Sequence, residues 1–116
     1  MLWAQTCREA QIEAGLEHEV VFWSRSASRL SPSHATCFWA GDQITTWDVK
    51  DGLKSALLGI LSGGLSGMSL SHSDIGGYTM VDKLHYKLLR TPELLQRWAE
   101  MSGEICFRAF RDVDGL

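Results

Sequence analysis

Helix-forming segments alternate with short apolar runs along this 116-residue chain. Residues 3–14 are rich in Ala, Gln, Glu and Arg, and Gly15 follows them as a typical helix stop. The segment 19–24 contains the run Val-Val-Phe-Trp, which predicts a buried strand. By the same reasoning, further short strands are predicted at 36–40, 67–71 and 105–109.

Two more helices are predicted between these strands. Apolar residues recur at helical spacing over 52–61, which predicts a heavily buried helix ending at Ser62-Gly63-Gly64. Thr91 is a suitable cap and Pro92 a suitable first residue for a helix that runs to about Met101. Strands that alternate with helices through right-handed crossovers predict an α/β fold with a parallel sheet.

Polar residues follow three of the predicted strands. Arg25 comes after the first, Asp42 after the second, and His72 and Asp74 after the third. The carboxyl ends of parallel strands meet at one face, where (β/α) barrels carry their catalytic groups. A complete barrel takes about 250 residues, so we expect this chain to form an incomplete (β/α)8 TIM barrel.

The two acidic residues lie in glycine-flanked, aromatic-rich loops. Asp42 belongs to Phe-Trp-Ala-Gly-Asp-Gln at 38–43, and Asp74 to His-Ser-Asp-Ile-Gly-Gly-Tyr at 72–78. A carboxylate held among rings loses solvation, which favours its protonated form and suits it to proton donation. Taken without its flanking motif, an Asp in such a loop is more often a turn or cap residue than an acid catalyst.

Composition excludes some classes of partner. The net charge of −3 and the pI of 5.7 supply no basic stripe, so a nucleic acid is not an expected partner. The cysteines Cys7, Cys37 and Cys106 have no paired spacing of the kind that binds zinc or forms a redox pair. They are expected to be reduced and mostly buried, and the oligomeric state is not indicated.

The chain shows no targeting or membrane-spanning segment. Its first residues lack the features of a signal peptide, and no run approaches the roughly 20 apolar residues of a membrane span. These features favour a soluble, cytoplasmic protein. Because the chain starts inside a predicted helix with no cap before it, the amino terminus resembles a truncated one, and secretion of a longer parent stays open.

Four ordered motifs stand out along the chain. They are Trp-Ala-Gly-Asp-Gln at 39–43, Gly-Leu-Lys-Ser-Ala-Leu at 52–57, Gly-Leu-Ser-Gly at 64–67 and the segment 72–78. Together they resemble glycoside hydrolase family 31, most closely its sulfoquinovosidase branch. The likeness covers about residues 1–101, while residues 103–116 diverge, so the whole chain 1–116 is interpreted as a partial catalytic barrel.

The resemblance implies a retaining α-glycosidase that needs no cofactor or metal. It implies a carbohydrate substrate, an α-sulfoquinovoside such as a sulfoquinovosyl glyceride, with a neutral α-glucoside as the alternative. The family's nucleophilic Asp lies on an earlier strand, which makes this chain the C-terminal half of the barrel. The isolated chain is therefore expected to be inactive, and an inert fragment or pseudoenzyme is the alternative to an enzyme segment.

The resemblance also implies roles for individual residues. Asp42 matches the general acid/base of the family, and Arg25 matches a strand-end arginine that contacts sugar hydroxyls. Gln43 replaces the Asn that is usual in the α-glucosidases, which favours the sulfoquinovosidase branch and places Gln43 beside the substrate. Tyr78 matches a residue that helps to bind the sulfonate. His72 and Asp74 are further candidate substrate contacts.

Each of these residues has a structural alternative. Asp74 can brace its loop, His72 can be a structural histidine, and Arg25 can be an ordinary ion-pair partner. Trp39 and Trp47 can form either a core or a pocket wall. A metal site at the histidine and aspartate of 72–74 lacks a third ligand with convincing spacing.

The tail departs from the family pattern. At the position where family members carry a pocket histidine, this chain has Phe110, which cannot hydrogen-bond to a hydroxyl. Either the tail is aberrant, as in a misassembled gene model, or the pocket has changed, and no site role is assigned to residues 103–116.

Overall fold

The computed structural model describes the backbone of residues 2–111 and the side chains of residues 2–103. Three helices are present: α1 (Leu2–Glu13), α2 (Leu53–Leu65) and α3 (Pro92–Arg111). The strands are β1 (Trp23–Ser24), β2 (Cys37–Trp39), β3 (Leu70–His72), β4 (Val81–Lys83) and β5 (Tyr86–Leu88), with a short 3-10 turn at Ser31–Ser33. No helix in this part of the chain is long and apolar enough to cross a bilayer.

The first three strands form a parallel sheet in the order β1-β2-β3. Cys37 of β2 pairs with Trp23 on one side and Leu70 on the other, and Trp39 pairs with His72. The helix α2 connects β2 to β3, as in a parallel crossover. The predicted α/β architecture with a parallel sheet is therefore confirmed.

The two faces of this sheet differ in cover. Phe38 points to one face and is buried against Ala4 of α1 and Ala35, with Phe22 and Met68 packed around them. The strand residues at the alternate positions point to the other face, and none of them is buried: Trp23, Cys37, Trp39, Leu70 and His72. Parallel sheets are normally covered on both faces, so this open face is the one that a closed barrel would enclose.

Several predicted elements have different bounds in the structure, and the strand predicted at 67–71 is Leu70–His72, so His72 is its last residue. The strand predicted at 19–24 is reduced to Trp23–Ser24, because the amides of Glu19 and Val20 both donate to the carbonyl of Leu16 and form a turn. Val20 is therefore 45% exposed rather than buried.

The prediction for α2 was wrong at its end and in its burial. The helix continues through the two glycines to Leu65, where the amide of Met68 folds back to the carbonyl of Gly63 at 2.9 Å. Ala56 and Ile60 are buried, but Leu58 is 55% exposed. Among the described strands and helices, β3 and α3 make the main contacts with this helix, and Leu61 and Leu65 are exposed beside Leu58.

The carboxyl-terminal part of the chain gave the clearest errors. The strand predicted at 105–109 is helical and belongs to α3, which runs to Arg111 rather than ending near Met101. Thr91 does cap this helix, since its Oγ1 accepts the amide of Leu94 at 3.2 Å. The antiparallel hairpin formed by β4 and β5 was not predicted. The side chain of Phe110 lies outside the described residues.

A second core cluster holds α3 against α2 and β3. Ala56, Leu94 and Trp98 are buried together, and the indole Nε1 of Trp98 donates to Ser73 Oγ at 2.9 Å. Ser73 lies between His72 and Asp74, so this hydrogen bond fixes the segment that carries two candidate site residues. Cys7 and Cys37 are half-buried thiols, in partial agreement with the expectation, and the side chain of Cys106 is outside the described part.

We expect Trp98→Phe to destabilise the chain by about 1–3 kcal/mol, because it leaves the buried Ser73 hydroxyl without its donor. Trp3→Phe is the matched control, since Trp3 is 72% exposed and its replacement is expected to change stability by less than about 0.5 kcal/mol. Urea unfolding followed by circular dichroism measures both. Equal unfolding midpoints for the two variants would contradict this reading of the core.

We also expect the isolated chain to self-associate. Its sheet has an open face, and α2 exposes Leu58, Leu61 and Leu65, so apolar surface remains uncovered. Size-exclusion chromatography with light scattering should give a mass above 12.9 kDa that rises with concentration. Leu58→Lys with Leu61→Lys should lower that mass. A sharp monomer peak at all concentrations would count against the prediction.

Candidate active site

The ends of β1 and β2 bring Arg25 and Asp42 together. Arg25 Nη2 lies 3.6 Å from Asp42 Oδ1, which is a charge contact rather than a hydrogen bond. The guanidinium carbon of Arg25 lies 5.0 Å from the centroid of the Trp39 ring, within the range of a cation–π contact. The aromatic ring therefore orients the cation that faces the candidate acid/base.

The end of β3 joins the same group of residues. Trp39 Nε1 donates to Asp74 Oδ1 at 3.2 Å, and His72 Nε2 lies 3.5 Å from the same oxygen. The rings of Trp23 and His72 meet edge-on with centroids 4.9 Å apart. We call these residues the strand-end cluster: Trp23, Arg25, Trp39, Asp42, His72 and Asp74.

Backbone geometry sets the entry to the Asp42 loop. The amide of Ala40 donates to the carbonyl of His72 at 2.8 Å, which extends the pairing of β2 and β3 past the last strand residue. Gly41 follows with φ of 91°, a conformation that favours glycine. A Cβ at this position would lie 3.3 Å from Arg25 Nη2, so the glycine also leaves room for the guanidinium.

Gln43 and Tyr78 are candidate site residues that lie outside the strand-end cluster. Gln43 is buried, and its amide Nε2 donates to the carbonyl of Ala40 at 2.7 Å. Tyr78 is 61% exposed, and its backbone amide donates to the carbonyl of Gln43 at 2.8 Å. The two residues are thus joined through the backbone.

Several acceptor oxygens of the site lack a donor. Among the described side chains, four buried polar atoms have no hydrogen-bond partner, and three of them belong to the candidate site. They are Asp42 Oδ1, Gln43 Oε1 and Asp74 Oδ2, and the fourth is Ser102 Oγ. Buried polar atoms are normally paired, and these three oxygens accept no hydrogen bond from the described part of the chain.

A cavity of about 210 Å³ lies between the strand ends and α2. Arg25, Trp39 and Gln43 line its polar end, whereas Asp42 is not among its lining residues. The Asp42 side chain is 38% exposed and faces a guanidinium, whereas the sequence indicated a carboxylate sheltered by rings. Trp47 is 42% exposed and lines a separate cleft next to β5.

The described residues contain no cluster of metal ligands: no group of three or more His, Cys, Asp or Glu side chains comes together within residues 2–103.

Three residues that were not singled out from the sequence hold the loop after β3 in place. They are Ser73, Trp98 and Arg90. Their partners are 13 to 25 residues distant in the chain, so no local pattern marked them.

The parallel strands, the crossover helix and the polar residues at the strand ends are typical of a segment of a (β/α) barrel. A family model described as the glycosyl hydrolases family 31 TIM-barrel domain matches residues 1–111. The chain therefore belongs to glycoside hydrolase family 31, as its motifs indicated.

Similar proteins within the family carry one name. The chain is 42% identical over 102 residues to a sulfoquinovosidase of Escherichia coli strain K12, and 37% identical over 102 residues to a sulfoquinovosidase of Agrobacterium fabrum. These alignments cover 88% of this chain but 14% and 15% of the relatives, so it spans about one seventh of their length.

A solved structure agrees with these relatives. A family 31 sulfoquinovosidase from E. rectale, in complex with the aza-sugar inhibitor IFGSQ, matches with a TM-score of 0.77 and 44% identity. The match covers 87% of this chain and 14% of that structure. The parallel strands and helices described above thus align with a short part of that solved chain.

We expect the two candidate carboxylates to differ in their effect on stability. Asp74→Ala removes the acceptor of the Trp39 indole and should cost about 1–3 kcal/mol. Asp42→Ala should change the free energy of unfolding by less than about 1 kcal/mol, because its partner lies 3.6 Å away and both side chains are more than a third exposed. Urea unfolding compares them, and an equal loss in both would contradict the geometry.

Proposed function

We propose that this chain is the acid/base segment of a retaining α-glycosidase that acts on α-sulfoquinovosides. The observation that carries the proposal is the set of unpaired buried acceptors at the strand ends. Sugar hydroxyls are donors, and a bound glycoside would satisfy these oxygens. The sulfoquinovosidase relatives favour a sulfonated sugar, and the open face of the sheet supports a place in a barrel. We propose the C-terminal half, because the family's nucleophilic Asp lies on an earlier strand.

Asp42 has the role of general acid/base in this proposal. A retaining glycosidase needs two carboxyl groups about 5–5.5 Å apart. The nucleophile, supplied by another part of the parent barrel, attacks the anomeric carbon while Asp42 protonates the departing oxygen. Asp42 then takes a proton from the water that hydrolyses the glycosyl-enzyme intermediate.

The neighbours of Asp42 are proposed to bind the sugar. A guanidinium has five N–H donors, more than the contact of Arg25 with Asp42 uses, so donors remain for sugar hydroxyls. Gln43 Oε1 is an unpaired acceptor, and its residue lines the cavity beside Arg25. The exposed hydroxyl of Tyr78 is proposed to contact the sulfonate.

Asp74 and His72 are proposed to border the sugar site. One oxygen of Asp74 is engaged by Trp39 and lies near His72, while its other oxygen is unpaired and is left for a substrate hydroxyl. Asp74 thereby both braces Trp39 and offers an acceptor, which combines the two alternatives considered for it.

A chimera tests the proposed function. The residues of this chain replace the aligned 102-residue segment of the E. coli sulfoquinovosidase, and turnover of nitrophenyl α-sulfoquinovoside and nitrophenyl α-glucoside is measured. We expect an active enzyme that prefers the sulfonated substrate. The isolated chain, which lacks the nucleophile in this proposal, should hydrolyse neither. An active chimera that prefers the glucoside would instead support a neutral α-glucosidase.

Asp42→Ala in the chimera tests the residue assignment. We expect turnover to fall by about 10²–10⁴-fold, since the proton transfers lose their donor and acceptor. Nitrophenolate leaves without protonation, so the intermediate still forms, and azide, which needs no base, should restore turnover and give the α-glycosyl azide. Asp82→Ala, on the exposed hairpin, is the matched control and should keep full activity. Full activity of Asp42→Ala, or failure of azide to rescue it, would refute the role.

A further inference from the structure

The loop after β3 contains a tight turn with two consecutive glycines. Gly76 and Gly77 have φ of 84° and 81°, a region of backbone conformation that other residues rarely adopt. The amide of Gly77 donates to the carbonyl of Asp74 at 2.8 Å. The turn therefore links Asp74 directly to Tyr78, which are two residues of the proposed sugar site.

Arg90 holds this turn from one side. Its Nε donates to the carbonyl of Gly76 at 3.2 Å, and its Nη2 donates to the carbonyl of Gly77. A Cβ on Gly76 would lie 2.6 Å from Arg90 Cδ and 3.0 Å from Leu95 Cδ1. The absence of a side chain at this position is thus matched to the close approach of Arg90.

The segment after Asp42 holds the turn from the other side. The amides of Tyr78 and Thr79 both donate to the carbonyl of Gln43, at 2.8 and 3.0 Å, and the amide of Thr45 donates to the carbonyl of Thr79 at 3.0 Å. A Cβ on Gly77 would lie 3.0 Å from the carbonyl oxygen of Ile44. The turn is therefore packed between Arg90 and the residues that follow the candidate acid/base.

We propose that Arg90 is a positioning residue that locks the Gly76–Gly77 turn onto the Asp42 loop and thereby sets substrate selectivity. Two of its donor nitrogens, Nε and Nη2, are used on adjacent carbonyls, which fixes the turn at two points at once. Loss of the Arg90 hydrogen bonds should move Tyr78 before it disturbs the sheet. The side chain of Tyr78 is exposed, and the residue is joined to the Asp42 loop through its backbone amide. The role of Arg90 in substrate selectivity rests on the proposed function, whereas its role in fixing the turn does not.

Amide exchange in the 116-residue chain tests the lock without any activity. We expect Arg90→Gln to speed deuterium uptake by a peptide covering 75–80 about tenfold, because the Tyr78 and Thr79 amides open more often. Arg90→Lys should give a smaller increase, since an ammonium cannot supply the paired geometry. Gly76→Ala displaces Arg90 with no change of charge and should also speed uptake.

Arg97→Gln is the matched control for these variants. It removes the same charge from a nearby arginine, whose partner is Glu100 on the exposed side of α3, and it should leave uptake at 75–80 unchanged. Uptake at 75–80 that stays at the wild-type rate in Arg90→Gln would overturn the lock.

Selectivity is measured in the chimera described above. We expect Arg90→Lys to lower the ratio of kcat/KM for the sulfonated substrate to kcat/KM for the glucoside by about tenfold, mainly through KM. A purely structural role would lower both values equally. An inactive wild-type chimera would refute the proposed function and leave the exchange result standing. An active chimera whose ratio is unchanged by Arg90→Lys would overturn the role in selectivity.

Discussion

The amide of Ala40 donates to the carbonyl of His72 at 2.8 Å, one residue beyond the last residue of β2. This bond continues the register in which Trp39 pairs with His72, and that register aligns the carboxyl ends of β2 and β3. The side chains after those ends can meet only because the alignment holds. A shift of one residue would turn Trp39 to the opposite face of the sheet and separate it from Asp74.

Trp39 connects the two carboxylates of the site. Its indole N–H is bound by Asp74, and its ring lies under the guanidinium that faces Asp42. The position of Asp42's charged neighbour thus depends on an aspartate 32 residues further along the chain. This arrangement explains how one aromatic residue can act as a wall of the site and also orient the groups around it.

The sequence located the ends of strands better than the contacts between them. The strand at 36–40 and the cap at Thr91 were predicted correctly, because propensity and capping act over a few residues. Arg25, Asp42 and Asp74 do follow strands, whereas His72, expected after the third strand, is its last residue. Residues 105–109 carry apolar side chains that suit a strand, but they continue the helix that begins at Pro92. A short apolar run alone cannot show whether its residues form a buried strand or part of a long helix.

The missed elements depend on contacts between distant residues. In the hairpin, Asp82 pairs with Lys87 across two short exposed strands, so the apolar alternation that marks a half-buried strand is weak. The hydrogen bond from Trp98 to Ser73 spans 25 residues. The motif at 72–78 was recognised in the sequence, whereas the residues that hold it in place could be found only in three dimensions.

Apolar packing alone does not account for the order of the site. The buried hydrophobic residues among residues 2–103 number seven, and three of them are alanines, which bury little surface each. The loops that carry Asp42 and Asp74 are instead held by directional bonds from Trp98, Trp39 and Arg90. Because such bonds depend steeply on distance and angle, the site geometry is more sensitive to the removal of one donor than to a small change of volume in the core.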